Sequence, residues 1–139
     1  MITLVPLCTM TMTVDRALNA GPAPTGQRMV AGISGATVSG RLAGEMVGGG
    51  NADWFTMTAN GLMLPDVRLV IQTHDEAIVL VQYSGRMRFV RGHESVAFVA
   101  AVFETGDSRY EWINSIQAAG KGILSADLRT VEYELFELA

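Results

Sequence analysis

The first candidates for chemistry are three polar residues in the segment from Asp66 to Thr73. Asp66, Arg68 and Gln72 lie at even spacings, so they share one face of an extended segment. A guanidinium group binds a carboxylate or an enolate through two parallel hydrogen bonds. Asp66 therefore either forms a buried ion pair, with Arg68 or with Arg41, or orients Arg68 as the anchor for an anionic group of a ligand.

Glu104 is the second candidate, because it ends an apolar run and precedes Thr105 and Gly106. Burial at the end of a strand raises the pKa of a carboxyl group, which suits general acid–base catalysis. The same carboxylate would also serve as a hydrogen-bond acceptor for the following loop. In a catalytic pocket, we expect Glu104 or Asp66 to transfer the proton and Arg41 and Arg68 to stabilise an oxyanion.

Aromatic and amide side chains are candidate ligand contacts. Trp54 either plugs one end of the fold or stacks on a ligand, and Tyr83 ends an apolar segment from which its hydroxyl can reach a pocket. Tyr110, Trp112 and Asn114 either anchor a short helical turn or present a phenol or amide that orients a carbonyl group. The methionines either fill an ordinary core or line an adaptable apolar pocket, and they include Met10, Met12, Met29, Met46, Met57 and Met63.

The sequence lacks the residues that several other kinds of site require. His74 and His93 lie in predicted turns, and no His, Cys and carboxylate set has the spacing of a metal site, so we expect no metal. Gly48 to Gly50 is followed by neither a Lys-Ser/Thr pair nor a helical pattern, and no dinucleotide fingerprint is present. We therefore expect no cofactor. The single cysteine, Cys8, fits a small apolar core residue and a reducing cytoplasm.

Composition and charge limit the partners. The 139-residue chain is 49% hydrophobic and 17% charged, with a net charge of −4. This acidic balance argues against binding to nucleic acid or to an anionic membrane surface. No run approaches the roughly 20 apolar residues that span a bilayer, and the amino terminus has no signal-peptide pattern. We expect a cytoplasmic protein with a single domain over residues 1–139.

The hydrophobic period indicates the elements that position these residues. From Ile2 to Val14, Cys8, Met10 and Met12 alternate with threonines, which is typical of a strand. Asp15 to Asn19 and a turn around Ser108 to Ile113 are predicted to be helical, and Asn19 to Pro24 is predicted to be a loop. Further strands are predicted at Gln27–Ile33, Thr37–Val47, Trp54–Thr58, Gly61–Leu64, Val67–Thr73, Ala77–Tyr83, Ser95–Glu104, Ser115–Ala119 and Arg129–Leu138.

Many short strands without intervening helices predict an all-β, mainly antiparallel fold, either a sandwich or a barrel. We favour a single small β-barrel, because a dry sandwich core would reject Asp66, Arg68 and Gln72 from an inward face. A barrel with a solvated or ligand-filled interior would accept them there.

Three stretches resemble a bacterial family known as domain of unknown function 3237. They are Ile33 to Gly44 followed by Gly49 to Trp54, then Asp66 to Asp75, then Phe103 to Asn114 followed by Gly120 to Gly122. The resemblance runs from about Gly26 to the carboxyl terminus. It implies a compact β-barrel and no assigned reaction. The family's recurrent positions fall on Arg28, Arg41, Asp53, Trp54, Asp66, Arg68, Glu104, Tyr110, Trp112 and Asn114.

One departure from that family bears on the ligand. Where the family carries a Tyr-Phe-Arg element, this chain reads Val96 to Ala101, with Phe98 as a candidate ligand contact. Loss of an arginine from a strand expected to face the interior predicts a more apolar pocket than the family norm.

Two function hypotheses follow. The first is a cofactor-independent enzyme that performs isomerase-, cyclase- or lyase-type acid–base chemistry on a small, largely apolar metabolite, as in a tailoring step of secondary metabolism. The second is a non-catalytic barrel that binds the same ligand. A homodimer is compatible with either hypothesis.

Overall fold

The computed structural model describes residues 1–139, and most of them form one antiparallel sheet. The connections contain a single 3-10 helix, Ser108–Ser115. No helix has the length and hydrophobicity needed to span a bilayer. The strands are β1 Leu4–Val14, β2 Leu18–Ala23, β3 Gly26–Gly40, β4 Gly44–Met46, β5 Ala52–Asp53, β6 Thr56–Met57, β7 Leu62–Leu64, β8 Asp66–Thr73, β9 Ile78–Arg88, β10 Ser95–Glu104, β11 Ala118–Leu124 and β12 Thr130–Leu138.

The sheet closes on itself through eight strand positions. Neighbouring strands run in the order β1, β12, β11, β10, β9 and β8. The short strands β4 and β5 link β8 to β3, and β3 pairs with β1 to complete the circuit. β6 and β7 bridge β3 and β9, and β2 pairs only with β3. The predicted all-β, antiparallel barrel is confirmed.

The barrel interior is filled by alternate residues of each strand. Cys8, Met10 and Met12 of β1 point inward, as their alternation with threonines predicts. β10 has apolar residues on both faces, and only Ser95, Ala97, Val99, Ala101 and Phe103 are buried. The opposite face of β10 is therefore an apolar outer surface.

The prediction that Asp66, Arg68 and Gln72 face the interior is wrong. Val67, Leu69 and Ile71 of β8 are at most 1% exposed, so the residues between them lie on the outer face. The hydrophobic effect decides this orientation, because three branched side chains gain more from burial than one arginine can gain from an internal partner.

The predictions for residues 15 to 24 are also wrong. The expected helix at Asp15 to Asn19 and the expected loop at Asn19 to Pro24 are replaced by β2, which forms a hairpin with β3. β2 pairs on one side only, so Pro22 removes no hydrogen bond from a second neighbour. The predicted helical turn near Ser108 is confirmed, whereas the strand predicted at Ser115–Ala119 begins at Ala118 and runs to Leu124.

Candidate functional site

A cavity of about 880 Å³ enters the barrel at one end and is the main candidate site. Fifteen of its 24 lining residues are hydrophobic. Five of them are methionines, whose flexible thioethers adapt to irregular ligand shapes. They are Met12, Met29, Met57, Met63 and Met87. The lining is mainly apolar, but none of residues 96–101, from which the sequence predicted an apolar pocket, contributes to it.

Three carboxyl groups line the cavity. Asp53 is the only one that belongs to a strand, because Asp15 and Asp127 lie in exposed loops. It belongs to β5, a two-residue strand held between Ala31 of β3 and Val67 of β8. The preceding glycine loop is held by Asn51, whose side chain donates to the Val47 and Gly48 carbonyls and accepts from the Val70 amide. The position of the carboxyl group is therefore set by backbone pairing on both sides.

The surroundings of Asp53 raise its pKa to about 6. Burial is the main cause, because it penalises the charged form. A hydrogen bond from the Asp66 amide to Oδ1, 3.0 Å long, opposes the shift, and the nearby Asp66 carboxylate adds to it. The carboxyl group of Asp53 therefore exchanges its proton close to neutral pH.

The second oxygen of Asp53 is available to a ligand. Oδ1 accepts the Asp66 amide, whereas Oδ2 makes no hydrogen bond within the protein. Every fully enclosed side-chain oxygen or nitrogen has a partner. Oδ2 is therefore not fully enclosed by protein, and Asp53 lines the cavity together with Tyr133, whose hydroxyl interacts with that of Tyr83.

Tyr133 is the second polar group inside the cavity. Burial raises the pKa of its phenol well above the usual range, outweighing the opposite effect of the neighbouring Tyr83, and the Asp53 carboxylate raises it further. Its ring packs edge-on against Tyr83, with centroids 5.1 Å apart, and the Tyr83 hydroxyl donates to the Met12 sulfur at 3.4 Å. Tyr133 is thus a rigid, protonated hydrogen-bond donor.

The mouth of the cavity carries most of its charge. Arg16, Arg91 and Arg129 belong to its lining, together with Asp15 and Asp127. The ion pairs of the protein involve Arg41 and Arg109, so none of these three guanidinium groups is paired.

The residues predicted to be catalytic lie outside the cavity. Arg68 and Glu104 both line a groove of about 310 Å³ on the outer face of β8, β9 and β10, without forming an ion pair. Asp66 is exposed and contributes its backbone amide to Asp53. Arg41 is also on the surface, where it pairs with Glu137 at 2.6 Å. The catalytic roles of these four side chains remain predictions, whereas the prediction that they lie in the interior is wrong.

The predicted ligand contacts are also dispersed. Arg41 lies 4.8 Å from the centre of the Trp112 ring, and the Tyr110 hydroxyl donates to Asp75 at 2.7 Å. Asn114 holds the Thr105 backbone through two hydrogen bonds. These contacts match the interpretation in which the helical turn is anchored at the end of the barrel.

Four other predicted contacts occupy different environments. Trp54 and Phe98 are 53% and 64% exposed on the outside, and the Arg28 guanidinium donates to Thr56 Oγ1 at 2.5 Å. Tyr83 packs against Tyr133, which lines the cavity, and none of the predicted contacts is itself in the lining. Asp53 and Tyr133 were not predicted as functional; the resemblance marked Asp53 only as a recurrent position.

The chain is similar to known proteins in sequence and in fold. Residues 2–138 match the family described as protein of unknown function (DUF3237), which confirms the predicted resemblance and extends it to the amino terminus. A curated protein named hydroalkoxylation enzyme phnH, from Penicillium herquei, is 28% identical over 102 residues. That alignment covers 73% of this chain and 61% of the length of the relative.

Solved structures share the fold. A β-barrel-like protein from Acinetobacter baumannii superposes with a TM-score of 0.89 at 24% identity, over 100% of this chain and 97% of its own. The structure of an enzyme from Penicillium herquei superposes with a TM-score of 0.75 at 23% identity, over 98% of this chain and 95% of its own.

Proposed function

The chain belongs to the DUF3237 family, and we propose that it is a small-molecule enzyme in which Asp53 transfers a proton inside the barrel cavity. The observation that carries this proposal is a largely buried carboxyl group in the lining of a mainly apolar cavity, with a pKa raised to about 6 and one oxygen free of hydrogen bonds within the protein. Burial of a carboxyl group costs stability unless it is compensated, so a site that keeps one favours a chemical role.

The reaction class we propose is the intramolecular addition of a hydroxyl group to a carbon–carbon double bond. The name of the Penicillium herquei relative supports the addition of a hydroxyl group to a double bond, and the intramolecular form is part of the proposal. In the proposed step, protonated Asp53 gives its proton to one alkene carbon, and the substrate hydroxyl oxygen forms a bond to the other. The hydroxyl proton then returns to the Asp53 carboxylate. Atoms and charge balance between substrate and protein, so the step requires no cofactor.

The cavity lining suits the positive charge that develops during such a protonation. Phe55 and Phe89 present aromatic rings, and the methionines present polarisable sulfurs. An apolar lining also keeps out water that would capture a cationic carbon before ring closure. Tyr133, held by Tyr83, donates a hydrogen bond that orients the reacting oxygen.

The direct test compares wild-type protein with Asp53→Asn on ortho-prenylphenol and related alkenyl phenols. We expect the wild type to form a cyclic ether of one handedness that carries deuterium on the protonated carbon in heavy water. Asp53→Asn should be slower by about 100-fold or more, the usual contribution of a positioned proton donor. Glu134→Gln is the matched control, because Glu134 is exposed on the outer face of β12.

The two hypotheses from the sequence give opposite results in this experiment. Binding of the phenols without product, in wild type and variant alike, would support the non-catalytic binding protein. Turnover by Asp53→Asn at the wild-type rate would contradict the role of Asp53.

A further inference from the structure

Three arginines converge on the cavity mouth from three separate connections. Arg16 follows β1, Arg91 lies between β9 and β10, and Arg129 lies between β11 and β12. All three are exposed and none forms an ion pair. They represent three of the ten basic residues of a chain whose net charge is −4, so general basicity does not explain the cluster.

The carboxylates of the mouth offset only part of this positive charge. Asp127 accepts hydrogen bonds from Ser125 Oγ at 2.6 Å and from the Arg129 amide at 3.1 Å, within its own turn. Asp15 is the other carboxylate in the outer lining. Three guanidinium groups against two carboxylates give the mouth an excess of one positive charge. Unpaired guanidinium groups around an apolar cavity attract and orient anionic ligands.

We propose that the ligand of this cavity is an apolar molecule that carries one acidic oxygen group, such as a carboxylate, an acidic phenolate or an enolate. Arg16, Arg91 and Arg129 bind the anionic end at the mouth, and the apolar end fills the methionine-lined interior. This inference rests on the proposed function for the choice of cavity. It adds that Asp53, which lies within the barrel wall, delivers its proton to the apolar end of the substrate.

The test uses two fluorescent probes that differ by one anionic group. Anilinonaphthalene sulfonate carries a negative charge, whereas N-phenylnaphthylamine has the same ring system without it. The charge-removing double variant is Arg91→Gln with Arg129→Gln. The matched control is Arg86→Gln with Arg88→Gln, two exposed arginines on the outer face of β9 that also form no ion pair.

We expect wild-type protein to bind both probes, and the mouth variant to lose about tenfold in affinity for the sulfonate alone. Such a loss is the upper range for two partly exposed guanidinium contacts. Affinity for the neutral probe should change by less than about twofold, because apolar contacts dominate its binding. The outer variant should bind both probes as the wild type does.

Other results would overturn the inference in distinguishable ways. Equal losses for both probes, or no loss for the sulfonate, would refute the anionic ligand while leaving the cavity intact. A loss confined to the outer variant would place the sulfonate on the outer face of β9 and would also refute it. Failure of the neutral probe to bind would refute the cavity as a ligand-binding site and, with it, the proposed function.

Discussion

Replacing Asp53 by asparagine should make the protein more stable at alkaline pH while it removes catalysis. The folded-state pKa of Asp53 is about 6, whereas its ordinary value is 3.8. Below the lower value, both the folded and the unfolded states hold the proton. As the pH rises toward 6, the unfolded chain releases the proton and the folded protein keeps it. The stability of the folded state therefore falls through this window and stays lower above it.

The magnitude follows from the difference between the two pKa values. A difference of about two units corresponds to about 3 kcal/mol, at 1.36 kcal/mol for each unit. Asparagine remains uncharged and can keep the oxygen that accepts the Asp66 amide. Asp53→Asn should therefore match the wild type near pH 4 and exceed its free energy of unfolding by up to about 3 kcal/mol at pH 8.

Urea denaturation at pH 4, 6 and 8 measures this difference. With a typical denaturant slope, the midpoint of Asp53→Asn should lie about 1–3 M above the wild type at pH 8. Comparison with the wild type at each pH cancels the titration of the other carboxyl groups. Glu134→Gln, on the exposed outer face, should shift the midpoint little at any pH. A stability gain that is independent of pH, or a loss at pH 8, would refute the assignment.

Four further outcomes test individual contacts. The rate constant kcat/KM should fall about tenfold per pH unit above pH 6, because Asp53 acts in its protonated form; a rate that rises there would assign Asp53 as a base. Tyr133→Phe should lower kcat by about 10- to 100-fold with unchanged N-phenylnaphthylamine affinity, whereas a purely structural tyrosine would alter both. Gly85→Ala should lose more than about 2 kcal/mol in urea denaturation, because its Cβ would lie 2.0 Å from the Phe98 carbonyl oxygen, while Gly49→Ala, with no atom within 4 Å, should be nearly neutral. Arg41→Ala should cost about 1 kcal/mol or less by the same assay, since its pair with Glu137 is exposed, and a larger loss would show that the contact with Trp112 is underestimated.

The period of hydrophobic residues was sufficient to predict an all-β fold and most of its strands, whereas the preference for a barrel over a sandwich used an inward orientation of Asp66, Arg68 and Gln72 that is wrong. Cys8, Met10 and Met12 show a clear alternation, and their orientation is confirmed. The same rule places Val67, Leu69 and Ile71 inside and Arg68 outside. The opposite prediction for Arg68 gave an internal ligand more weight than the burial of three branched side chains. β2 was missed because an edge strand tolerates the prolines that usually end one.

The candidate site was less accessible to sequence reasoning. Asp53 lies in a two-residue strand after three glycines, where no hydrophobic period can develop. Tyr133 alternates with glutamates like any inward residue of β12, and no local pattern separates it from Val131 or Leu135. Long-range strand pairing brings both groups to one cavity. The resemblance to the DUF3237 family was the only signal that marked Asp53.

The most direct test of the central claim is a carbon-13 NMR titration of the Asp53 side-chain carboxyl group, with Asp53→Asn to assign its signal. We predict a midpoint near pH 6 that rises further when N-phenylnaphthylamine fills the cavity, because the probe displaces water from the carboxyl group. A midpoint near the ordinary value of 3.8, unchanged by the probe, would contradict the account.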